Sequence, residues 1–143
     1  MPTESPSWQT DLTRAYSLLR LTLGLNICFH GVVRWAAGLG SFAHSLLPMF
    51  QKSPLPAWSV YGFGLALPVL ETFIGAAVAV GFRTRTVAFA GALLMVVLTF
   101  GSALRQDWPT VGIQLTYSFV YCALIAGARF DGYCLDRVLD RRV

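Results

Sequence analysis

The stretch Trp58–Gly81, WSVYGFGLALPVLETFIGAAVAVG, carries a single charged side chain, Glu71, near its middle. At about 1.5 Å per residue it is long enough to cross a hydrocarbon core of about 30 Å as one helix. A carboxylate at that depth costs at least a few kcal/mol. The rest of the chain must therefore bring a partner, water or a proton to Glu71, and that requirement organises the reading of every other segment.

The composition agrees with a membrane setting. Of 143 residues, 55% are hydrophobic and 13% charged, against about 25% charged in soluble domains; the mean hydropathy is +0.59. The length suits one domain. A net charge of +4 raises nucleic acid as a partner. The basic residues, however, are scattered or sit at helix ends without a clustered patch, which excludes that class and makes the arginines topology determinants. Cys28, Cys122 and Cys134 show no metal-like or C-x-x-C spacing and read as reduced thiols.

Taken in order, residues 1–13 form a polar arm with Pro2 and Pro6. A first span follows at 14–37, RAYSLLRLTLGLNICFHGVVRWAA; its interruption by Arg20, His30 and Arg34 argues against a cleaved signal peptide. These three residues fall within an arc of about 80° on a helix. The connection 38–57 is broken by glycines and prolines. Its run SFAHSLLPMF places apolar residues at helical spacing, as in a short interfacial helix. The second span is the Glu71 stretch at 58–81, with Pro68 inside it. Spans three and four follow at 86–104 and 110–128, and Gln114, Tyr117 and Tyr121 share one face of the last. The tail from Arg129 alternates charges, as in a short amphipathic helix.

The architecture expected is all-α: an integral membrane four-helix bundle with a short interfacial helix in the first outer loop and a short amphipathic C-terminal helix. Seven arginines (Arg14, Arg83, Arg85, Arg129, Arg137, Arg141, Arg142) lie on the side of the termini, against Lys52, Arg105 and Arg34 opposite. That balance puts both termini in the cytoplasm.

The chemistry-bearing set is Arg20, His30, Arg34 and Glu71, with Gln114, Tyr117 and Tyr121 as additions. When depth is counted from the helix ends, Arg20 is the charge nearest Glu71, within about 6 Å, and His30 lies about 10 Å nearer the outside. The expectation is a Glu71–Arg20 salt bridge beneath a polar pocket lined by His30 and Arg34. The two histidines, His30 and His44, fall on different elements and form no metal cluster. GLGLN and GFGLA lack the βαβ context of a dinucleotide fingerprint.

Four pieces resemble one family: LLRLTLGL at 18–25, HGVVR at 30–34, PVLETFIGAAVAVGFRTR at 68–85 and GARFDGYCLDRVL at 127–139. In this order and spacing they are similar to the DoxX family of small four-helix membrane proteins, related to the DoxD subunit of thiosulfate:quinone oxidoreductase. The resemblance implies a partner oxidoreductase in the bacterial inner membrane and a quinone as ligand. The family often has lysine where Arg34 stands; arginine keeps the charge as a planar fork.

A quinone requires an apolar slot, a donor near each carbonyl and a proton-exchanging group. Glu71 and His30 are the candidates for proton exchange. Arg20, Arg34, Gln114, Tyr117 and Tyr121 are the candidates for binding. No electron carrier is encoded, so a redox partner must supply electrons. Two further readings stand beside the quinone subunit: a non-catalytic membrane anchor for a partner, and a small-molecule transporter formed by oligomerisation.

Overall fold

Apolar runs of this length leave the backbone no hydrogen-bond partner in lipid except itself, so they become helices. A computed structural model describes residues 7–140, with residues 138–140 as helix backbone alone. The helices are α1 (Ser7–Ala36), α2 (Leu39–Leu46), α3 (Ala57–Val80), α4 (Thr84–Leu104), α5 (Trp108–Ala126) and α6 (Leu135–Asp140). Two 3-10 turns, Pro48–Phe50 and Ala128–Phe130, follow α2 and α5. Helices α1, α3, α4 and α5 are long and apolar enough to cross a membrane. The chain is thus an all-α integral membrane bundle.

The N-terminal arm is shorter than expected. Residues 7–13 form the first turns of α1, while residues 1–6 of the expected arm lie outside the described residues. SWQTDLT is too polar to register in hydropathy, which marks the part of a helix inside hydrocarbon rather than its end. The expected interfacial helix is present as α2 with its 3-10 turn. The expected short C-terminal helix is present as α6, with Leu135 and Arg137 exposed; the stretch before it is anchored, Asp131 and Cys134 being buried and Gly132 lying against Thr13.

Close packing sets the register of α1 on α3. A methyl group added at Gly24 would collide with Ala79, at Gly75 with the Cys28 backbone, and at Gly31 with Thr72 and the Pro68 carbonyl. Glycines of this kind let membrane helices approach backbone to backbone. The three antiparallel contacts agree on one alignment, in which Ala36 is level with about Leu67. Helix α3 therefore runs on past the end of α1 by about 15 Å at 1.5 Å per residue. Helix α2 covers that projection, its fully buried Ala43 seated on Gly64. On the other side of the bundle, Gly91 of α4 makes room for the fully buried ring of Tyr121 in α5. Leu23, Ile27, Leu67, Leu94, Met95 and Leu124 complete the core, and Leu18, Phe29, Phe73, Phe89, Val96 and Phe119 face outward toward lipid.

Candidate functional site

Two ion pairs lie toward opposite ends of the α1–α3 seam, one half-buried and one buried. Glu71, 4% exposed, binds Nη1 of Arg34 through Oε2. Arg20, also 4% exposed, faces Asp131 at 3.5 Å. The expected Glu71–Arg20 bridge is therefore not formed. A depth taken from the helix ends requires α1 and α3 to end level; because α3 overshoots α1, Arg34 stands beside Glu71 and Arg20 beside Gly81.

The Arg20 site is a structural clamp. Its Nη1 donates to the carbonyls of Val78 and Ala79, both at 2.9 Å, and Nη2 to that of Tyr133 at 2.7 Å. It thus satisfies carbonyls freed where α3 ends at Gly81, a residue in the left-handed region (φ 74°). Asp131 accepts from Thr84 Oγ1 at 2.7 Å, and Asp136 accepts from the Arg83 N–H at 2.9 Å. The tail is so bound to the α3–α4 turn.

The Arg34 site is different, because it opens into a cavity. A space of about 470 Å³ lies where α3 projects past α1. Val60, Phe63 and Leu67 of α3, Val97 and Leu98 of α4, and Phe42, Leu46 and Phe50 of the α2 segment give it apolar walls. Arg34 enters from α1; Ser102, Arg105 and Gln114 enter from the α4–α5 end. The side chain of Arg34 is 27% exposed, and its only hydrogen bond to the described residues is the one to Glu71. The guanidiniums also hold the covering segment: Arg34 lies 4.9 Å from the Phe42 ring centre and Arg105 5.3 Å from that of Phe50, within cation–π range.

At the α4–α5 end, Gln114 Nε2 donates to Ser102 Oγ at 3.0 Å. Arg105 Nη2 pairs with Asp107 at 2.8 Å, and Asp107 caps α5 by accepting from Thr110. The Thr110 hydroxyl, then its backbone N–H and Arg105, hold the Asp107 carboxyl below its ordinary range. Two buried atoms here, Gln114 Oε1 and Arg105 Nε, have no partner among the described residues. A buried polar atom left so costs roughly 1–3 kcal/mol.

The other expected site residues are dispersed. His30 is exposed on α1 and does not line the cavity, so the polar pocket expected around it and Arg34 contains Arg34 alone of the two. The Tyr117 hydroxyl donates to Asn26 at 3.0 Å, away from the cavity. Tyr121 is fully buried, with its hydroxyl unpartnered among the described residues. Sequence reasoning passed over Arg105, Ser102 and Asp131. Arg105 sits in the RQDW turn, where a charge reads as an interfacial loop residue, and Asp131 in a tail that reads as solvated.

The family model for DoxX matches residues 15–102, which include the Arg34–Glu71 pair but neither Gln114 nor Asp131. No curated protein and no solved structure matches the chain.

Proposed function

Because the chain belongs to the DoxX family, we propose that it is the quinone-facing membrane subunit of a redox complex. In this reading it sits in the bacterial cytoplasmic membrane, with both termini in the cytoplasm and the cavity toward the outer face. The observation that carries the proposal is an apolar cavity that ends on Arg34, whose guanidinium is paired behind the cavity wall with the buried Glu71. Arg34 keeps donors free for a ring oxygen, and Glu71 behind it is the group that can exchange a proton. A quinone that takes two electrons from a partner oxidoreductase becomes a quinol and takes up two protons. Glu71, held behind Arg34, relays one of them to the oxygen bound at Arg34, and the second reaches the other ring oxygen from solvent at the outer face. Arg34 itself stays charged and serves only to bind and orient. His30, on the bundle surface, and Arg20, bound up in the clamp, have no role at the ring.

The test is direct. The protein is purified in mild detergent, its lipids are extracted, and the extract is assayed for quinone. The expected result is retained quinone in the wild type, greatly reduced in Arg34→Gln and unchanged in His30→Ala. A folded wild-type protein that retains no quinone and binds no added short-chain quinone refutes the proposal. If it then still captures an oxidoreductase from native membranes, the non-catalytic anchor is the reading that remains.

A further inference from the structure

One face of α4 joins a charge to a run of apolar side chains. Arg85, Phe89, Leu93, Val96 and Phe100 follow at steps of three or four residues, so they share that face, and all are exposed. The apolar members face lipid along the span, while Arg85 stands one residue inside its start at Thr84. A guanidinium at the end of a span reaches the headgroup layer.

Arg85 does not stand there alone. Four arginines line a polar recess of about 500 Å³: Arg85 on α4, Arg83 in the α3–α4 turn, Arg129 in the turn after α5 and Arg137 on α6. All are exposed, and none forms an ion pair with a carboxylate of the described residues. The two carboxylates in the same wall, Asp131 and Asp136, are already engaged. Asp131 faces Arg20 and accepts from Thr84 Oγ1, and Asp136 accepts from the Arg83 N–H. The recess therefore keeps an excess of positive charge. These arginines are dispersed in the sequence, and the attachment of the tail to the α3–α4 turn gathers them. Retention on one side of a membrane requires arginines only somewhere in the short loops. Their convergence on one concave recess is a binding geometry.

We infer that this recess holds the phosphate headgroup of an anionic phospholipid, whose acyl chains run down the Phe89–Phe100 face of α4. The guanidinium is planar and presents its donors as a fork that matches phosphate oxygens two at a time, and basic pockets at the ends of membrane helices suit such headgroups. A soluble phosphate ester carries the same charged group. The apolar face that leads directly from Arg85 selects the lipid, because only a lipid adds apolar contact beside the charge. The inference stands apart from the quinone reading and concerns the opposite end of the bundle.

The experiment titrates the delipidated full chain, in mild detergent, with phosphatidylglycerol and phosphatidylcholine of the same acyl length, and reads bound lipid by native mass spectrometry. The expected result is at least about tenfold tighter binding of phosphatidylglycerol, since each arginine near an anionic headgroup contributes to the attraction. Arg85→Gln combined with Arg129→Gln should weaken phosphatidylglycerol by about thirtyfold, the share of two arginines, and leave phosphatidylcholine unchanged. Arg14→Gln removes an exposed charge outside the recess and should keep the wild-type affinity. Equal binding of the two lipids by the wild type overturns the inference without any variant. A loss per charge at Arg14 as large as that at the recess also overturns it, because net charge rather than a site would then be at work. A folded double variant that keeps the wild-type affinity removes the recess from the binding. Glycerol phosphate bound as tightly as phosphatidylglycerol overturns the lipid and leaves a site for a soluble phosphate.

Discussion

Arg20 and Arg34 are the same residue type on one helix, and their surroundings give them opposite tasks. Arg20 is 4% exposed, donates to three backbone carbonyls and forms an ion pair with Asp131. Arg34 binds Glu71 and turns its remaining donors toward a cavity. Arg20→Gln should therefore lower the melting temperature of the detergent-solubilised protein, by a loss on the order of 3 kcal/mol for a broken buried pair, while the fraction that stays folded keeps its quinone. Arg34→Gln should show the reverse balance. Matching effects of the two variants on stability and on quinone content would remove the distinction. Asp107 gives a pH-dependent case. Its carboxyl lies below the ordinary range because Thr110 and Arg105 favour the charged form. Its stabilising contribution is thus fully present above about pH 4 and is lost as pH falls through the lowered value. Wild type should melt above Asp107→Asn at neutral pH, and the gap should close in acid; a gap that widens in acid contradicts the cap. At this scale the sequence revealed which side chains carry chemistry and misjudged which of them meet. Glu71 demanded a cation, yet the choice between Arg20 and Arg34 depended on helix register, which hydropathy does not encode.

At the scale of elements, that register is written in glycines. Four apolar spans were legible because each must cross about 30 Å of hydrocarbon; their relative heights were not, because a polar helical turn outside the membrane looks like any loop. The α1–α3 seam at Gly24, Gly31 and Gly75 fixes the offset, the offset makes room for the cavity, and α2 roofs it. The seam is therefore where substitution should do most harm. Gly75→Leu forces a side chain into the Cys28 backbone and should abolish or strongly reduce folded yield. Leu93→Ala removes atoms from a half-exposed, lipid-facing side chain (51%) and should change little. Comparable melting of the two variants by size-exclusion chromatography after heating would show that α1 and α3 do not pack as described.

For the whole molecule, the two ion pairs divide the bundle into a closed end and an open one. At the end of the termini the tail is bound to the α3–α4 turn through Asp131 and Asp136, and Arg83, Arg85, Arg129 and Arg137 surround it. At the other end the cavity lies under α2 between Arg34 and Arg105. Arginines in short loops and tails favour retention on the cytoplasmic side; in the proposed orientation the closed end therefore faces the cytoplasm and the cavity the outer face. Single cysteines at Gln51 and Tyr133, placed in a variant lacking the three native cysteines, report on this without removing a charge. Both positions are exposed, one in the turn after α2 and one in the tail. A membrane-impermeant maleimide added to intact cells should label the Gln51→Cys protein, and should label the Tyr133→Cys protein only after the membrane is permeabilised. The opposite pattern inverts the molecule: the cavity would then face the cytoplasm, and the proton relayed by Glu71 would be drawn from that side.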